Sequence, residues 1–211
     1  MYFCKTGATY AYFAISATNN NTITGTAATV NLTLSVTKVF PSNSSTNTGV
    51  LVPQISKLDN GTNVLSTALK NGCVDTNQNV VCQVYKITIK NEGGTATQVV
   101  DGSVSFFSDQ NLTSDISTAM PNLKWKPISS VDETTPSNSI IGDSEDLQAN
   151  FNKNIFTNDV TLVTNATSDY YIIVWINETN VDQPSDEGKT FYGIIEFDSS
   201  YGTGVTSTFN S

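Results

Sequence analysis

Apolar and polar positions alternate strictly through the segment Val30, Leu32, Leu34 and Val36 against Asn31, Thr33, Ser35 and Thr37. A period of two is the signature of a half-buried strand, and it predicts a first strand over residues 27–40. The same period recurs over 80–90, where Tyr85, Ile87 and Ile89 share one face. That stretch reads as a central strand. The turn Asn91-Glu92-Gly93-Gly94 then leads into 95–107, predicted to pair with it as a hairpin, with Gly102 marking a bulge. Further strands are predicted over 122–128 with Trp125 as anchor, 157–163, 169–177, 190–198 and 204–209. In Tyr170-Tyr171-Ile172-Ile173-Val174-Trp175-Ile176 both faces are apolar, as in a strand buried between layers.

Interruptions to this pattern are short. Residues 50–55 form at best an edge strand, because Pro53 lacks an N–H. Residues 63–70 read as a helix capped by Asn63, with Val64, Leu65, Ala68 and Leu69 on one face and Gly72 ending it. This helix is expected to lid one end of the fold. Polar, turn-rich runs at 41–49 and 129–139 read as surface loops. Residues 140–151 fit neither period. Many short strands separated by turns, with little helix, predict an all-β protein. The expected architecture is a single immunoglobulin-like or jelly-roll antiparallel β-sandwich with one or two short helices.

Composition narrows the function classes. The 211 residues carry 10 basic and 19 acidic side chains, a net charge of −9, and no histidine. Nucleic-acid binding needs a basic face, so no nucleic-acid partner is expected. Without His there is no Ser-His-Asp triad and no imidazole metal site. No catalytic residues, metal or cofactor are assigned, and the chain is not expected to be an enzyme. Cys73 and Cys82 flank eight turn-forming residues and are read as a disulfide closing a surface loop. Such a loop is worth about 2.7 kcal/mol in the chain-entropy model, and the bond implies an oxidising compartment. The alternative is two free thiols in a reducing one.

Asp75-x-Asn77-x-Asn79 has the opening spacing of a calcium loop, but Val80 and Lys86 replace its Gly and Glu, so a simple turn is the better reading. Glu178, Asp182, Asp186 and Glu187, and separately Asp143, Glu145 and Asp146, are candidates for weak cation contact. Tyr170, Tyr171, Trp175 and Tyr192 are candidates for glycan stacking, and Lys86 and Lys90 for a Lys–Asn isopeptide crosslink. Solvated charge, core packing and ordinary strand lysines are the plain alternatives.

Residues 1–11 have neither the basic start nor the apolar run of a complete signal peptide, and Lys5 interrupts any span. Thr9 and Ala11 do place small residues where a signal peptidase reads them. Gly7-Ala8-Thr9-Tyr10-Ala11-Tyr12-Phe13, then Thr22-Ile23-Thr24-Gly25-Thr26, then Val30-Asn31-Leu32-Thr33-Leu34 is similar to the start of the TasA/camelysin group of secreted filament and matrix proteins. Tyr85 through Gly94 resembles the strand and Asn-Gly turn of that group. The resemblance implies export, cleavage after Ala11 and an extracellular or cell-surface location. It divides the chain into an export-signal remnant (1–11), an N-terminal arm and hinge (12–22) and a β-sandwich (23–211).

The arm alternates, with Phe13, Ile15 and Ala17 on one face following Tyr12. The expected function is therefore a structural subunit of an extracellular filament or biofilm matrix. It would self-associate by donating residues 12–17 to a neighbour's sheet, with no membrane insertion of the mature chain. The alternative is a cell-surface adhesin or carbohydrate-binding sandwich displaying loops 41–49, 129–139 and 178–188.

Overall fold

The computed structural model of the protein describes residues 23–27, 30–42, 50–53, 64–93, 98–139, 153–154, 160–186, 188–199 and 204–211. The strands among them are β1 (Ile23–Ala27), β2 (Val30–Phe40), β3 (Gln83–Gly93), β4 (Gln98–Phe107), β5 (Leu123–Ile128), β6 (Lys153–Asn154), β7 (Val160–Leu162), β8 (Thr167–Ile176), β9 (Tyr192–Ser199) and β10 (Gly204–Asn210). Two short helices, α1 (Val64–Lys70) and α2 (Ile116–Ala119), accompany them. The fold is an all-β antiparallel sandwich with only short helices, as the alternation predicts. No helix among the described residues is long and apolar enough to cross a membrane.

The first sheet runs β1-β2-β3-β8-β5 and the second β10-β9-β4-β6, with β7 also on β4. Strands β6 and β7 share the edge of β4 that β9 leaves free, at Ser103–Val104 and at residues 98–100. Among the described residues the second sheet is thus one strand narrower than the first.

One core fills the space between the sheets. Leu32, Leu34, Tyr85, Ile87, Ile172 and Val174 come from the first, and Val100, Val104, Phe106, Ile195, Phe197 and Phe209 from the second. Aromatic pairs fix how the sheets stack. Tyr85 lies 4.5 Å from Phe209, Tyr170 lies 6.4 Å from Phe197, and Phe106 lies 6.2 Å from Trp125. Hence β8 faces β9 and β5 faces β4, while Tyr85 of β3 reaches across to Phe209 of β10. The β10 edge of the second sheet lies close against β2 and β1 of the first.

The predicted hairpin between 80–90 and 95–107 does not form. Both edges of β3 are taken, by β2 and by β8, and β4 lies in the opposite sheet. Crossing between sheets puts the apolar rows of β3 and β4 on opposite sides of the one core; as hairpin neighbours they would only lie side by side. Nor is Gly102 a bulge. The register runs unbroken through Asp101↔Asp198, Gly102↔Phe197 and Ser103↔Glu196. Gly102 simply occupies the inward row between Val100 and Val104.

Helix α1 does not close an end of the sandwich either. Leu65, Ala68 and Leu69 pack with Val84, Ile128, Ile173 and Trp175 on the outer face of the first sheet. This second cluster explains why β8 is apolar on both faces. Gly72, at φ +69°, ends the helix, and the Cys73 N–H donates back to the Ala68 carbonyl at 2.9 Å. Residues 50–53 contribute one bridge, Leu51 to Val80, rather than a strand.

Candidate functional site

The disulfide Cys73–Cys82 forms as predicted. It is not at the surface: both cysteines are fully buried in the cluster beneath α1. Between them, Asp75 Oδ1 accepts from the Asn77 and Asn79 N–H groups at 2.8 and 2.7 Å, and Asn79 Nδ2 donates to its Oδ2 at 2.9 Å. The Asp75-x-Asn77-x-Asn79 pattern is therefore a carboxylate-capped turn.

The acids of the 178–188 loop are dispersed. Glu178 accepts from the Asn180 N–H at 2.6 Å. Asp186 is wholly buried and accepts from Asn122 N and Nδ2 at 3.3 and 2.8 Å, tying the loop to the start of β5. Among the described residues no three acids, histidines or cysteines are grouped to hold a metal ion. Glu187 and the trio Asp143, Glu145 and Asp146 lie outside the described residues.

The aromatic candidates are not brought together as a platform. Trp175 is buried under α1, and Tyr170 packs toward Phe197. The Tyr171 hydroxyl donates to Glu133 Oε1 at 2.8 Å. Lys86 donates to the same oxygen at 2.8 Å and pairs with Asp169 Oδ2 at 3.1 Å. These bonds, that to Glu133 foremost, push the Lys86 amine above its ordinary value. Burial and the Glu133 carboxylate raise Tyr171 to about 12. An amine held protonated is no nucleophile, and its partners are carboxylates rather than an asparagine. Lys90 pairs with Glu92 at 2.9 Å. Neither lysine is set up for the isopeptide.

What remains is the set of strand edges, where a β-protein meets other chains. The edge strand β5 is blunted by Pro127 and by Lys124 and Lys126. The outer edge of β4 is covered by β6 and β7. On the other side of the sandwich, β1 pairs only with Val30–Leu34, the first half of β2. The second half of β2 carries Lys38, which continues the inward row of Leu34 and Val36 opposite Tyr85. Burial lowers the pKa of its amine. An inward lysine guards an edge, because any added strand must bury its charge.

The edge of β10 has no such device. Its seven residues contain no Pro and no charge, and the register with β9 is unbroken from Gly204↔Asp198 to Asn210↔Tyr192. Val205, Ser207 and Phe209 face inward. Phe209 stands opposite Gly193, where an added Cβ would meet its ring at 2.3 Å, so the ring leans over β9 and away from the open edge. The buried Tyr85 hydroxyl lies 2.8 Å from the Asn210 carbonyl and fixes the far end of the strand. No strand pairs with the outer edge of β10 among the described residues.

Sequence reading overlooked both edges. The signals were the lysine that breaks an apolar row at position 38 and the lack of charge over 204–210. Cleavage residue Ala11 and the donor residues Tyr12, Phe13, Ile15 and Ala17 lie outside the described residues. No protein-family model matches the sequence. No curated protein matches it either.

Proposed function

We propose that the chain is a structural subunit of an extracellular filament or biofilm matrix, assembling when residues 12–17 of one copy add to a sheet edge of the next. The observation that supports this reading is the strand β10, uncharged and proline-free, with no described strand paired to its outer edge. Strand addition uses backbone N–H and C=O groups for affinity and alternate side chains for fit. A head-to-tail contact of this kind does not close on itself and so propagates. The buried disulfide fits an oxidising compartment. Catalysis, cofactors and membrane insertion have no part in this reading.

Electron microscopy tests it. The full chain and a chain starting at Tyr12 are compared with one lacking residues 12–17. Filaments are expected from the chain starting at Tyr12 and none from the deletion, with thermal unfolding of the deletion unchanged. Equal filament growth by the deletion would sink the donor-strand reading.

A further inference from the structure

We propose that Asn165, in the turn before β8, is the acceptor of an N-linked glycan on the exported, folded chain. This goes beyond filament assembly and takes from that reading only the extracellular location.

Such a modification asks three things of a folded chain. It needs the triplet Asn-x-Ser/Thr, an amide and a hydroxyl not already bonded, and a backbone that stands clear of the sheets. Of the triplets in the sequence, those at Asn31, Asn111, Asn165 and Asn177 lie among the described residues. Asn31 is inside β2, between Thr26 of β1 and Gly93 of β3. The Asn111 triplet is wrapped around Asp109. That carboxylate accepts from the Asn111 and Thr113 N–H groups at 2.9 and 3.2 Å and from the Thr113 hydroxyl at 3.2 Å. Asn177 is half-buried. Its Nδ2 donates to the Glu178 carbonyl at 3.3 Å, and its Oδ1 and the Thr179 hydroxyl are both enclosed.

The triplet Asn165-Ala166-Thr167 differs on every count. Asn165 and Thr167 are exposed, and neither side chain makes a hydrogen bond among the described residues. Their backbone is nonetheless held. The Ala166 N–H donates to the Val163 carbonyl at 3.0 Å and closes a turn with Asn165 in its third place, at φ +62°. Asn is one of the few side chains that accept this left-handed conformation. The Asn165 N–H donates to the Asn91 carbonyl at 2.8 Å, and the Asn91 N–H donates to the Ala166 carbonyl at 3.0 Å. The turn is thus pinned to the end of β3 while its amide and hydroxyl stay in solvent. Val163, two residues before Asn165, is 56% exposed, and the bulk of a glycan there would shield it. The disulfide fits the oxidising compartment in which exported chains are modified.

The donor is an oligosaccharide joined through a diphosphate to a lipid. The Asn165 Nδ2 bonds to the anomeric carbon of the first sugar. The bond from that carbon to the phosphate oxygen breaks, the lipid diphosphate leaves, and the amide gives up one proton.

Mass spectrometry of the full chain tests the assignment. The folded, oxidised protein is incubated with a lipid-linked oligosaccharide and a transferase that reads Asn-x-Ser/Thr alone, and the glycan is located by peptide mapping. One glycan at Asn165 is expected, with occupancy roughly tenfold above that at Asn111 or Asn177, whose triplets must first give up existing bonds. Thr167→Ala should abolish it without touching Asn165, and Thr167→Ser should restore it. An unmodified Asn165 in the folded chain would overturn the inference. So would a glycan placed by preference at Asn111 or Asn177, or a loss in Thr167→Ala that Thr167→Ser does not restore. Filament growth is scored apart, by microscopy of the unmodified chain, so a failure to assemble counts against the filament reading alone.

Discussion

Glu133 draws two groups into one contact on the outer face of the first sheet. Lys86 and Tyr171 donate to its Oε1, and Lys86 also reaches Asp169. The Lys86 bond, ahead of the Tyr171 bond, holds the Glu133 carboxyl below its ordinary 4.5. Next to it, the Thr135 N–H, then the Thr134 hydroxyl and N–H, bring Asp132 down to about 2. A depressed carboxylate adds stability above its unfolded pKa and loses it as pH falls through the folded one. The turn around Asp132 should therefore loosen between pH about 4 and about 2, seen as faster amide exchange at Thr134 and Thr135. Glu133→Gln should cost about 0.5 kcal/mol in urea unfolding at pH 7, as partly exposed ion pairs do. The difference from wild type should shrink as pH falls through the lowered value of the native carboxyl, which then no longer gains from ionisation. At Gly193 the constraint is steric. Gly193→Ala sets a methyl against the Phe209 ring and should cost about 1–3 kcal/mol by the same measurement, loosening the end of β10.

Among the elements, α1 and its disulfide depend on each other. The helix has seven residues, too few to be stable alone in water. It persists because Leu65, Ala68 and Leu69 bury against β8 and because Cys82, just before β3, is bonded to Cys73 just after the helix. Replacing both cysteines by serine should lower unfolding free energy by about 3 kcal/mol and lower helical circular dichroism, while the sheet signal stays. Local pattern made the strands, the helix and the cysteine pair readable in the sequence. Pairing was not readable. The turn Asn91-Glu92-Gly93-Gly94 has the chemistry of a hairpin, yet competition from β2 and β8 for the edges of β3 sends the chain to the other sheet. Where α1 docks was hidden for a related reason. The apolar outer row of β8 was visible, but nothing local says which element covers it.

At the scale of the whole molecule, the sandwich is unequal. Its first sheet is wider and is covered outside by α1. The outer face of its second sheet is polar, with Asp101 directly opposite Asp198 and Glu196 beside it. Burial and the Asp198 charge raise Glu196 above its ordinary value. The candidate site was the least legible part of the chain. An edge becomes open only through what its neighbours fail to cover, and that depends on strands far apart in sequence. The crossing from β3 to β4 carries a consequence for how the chain reaches this form. Every ladder that builds the core, apart from β1–β2 and β9–β10, joins segments separated by dozens of residues: β3 waits for β8, and β4 for β9. Large loops must close before those contacts give any return, so folding belongs to the slow, millisecond-to-second class of β-proteins. During that interval the apolar rows and strand edges stand unshielded. Partners that hold the chain extended would then govern its yield as much as its final stability does.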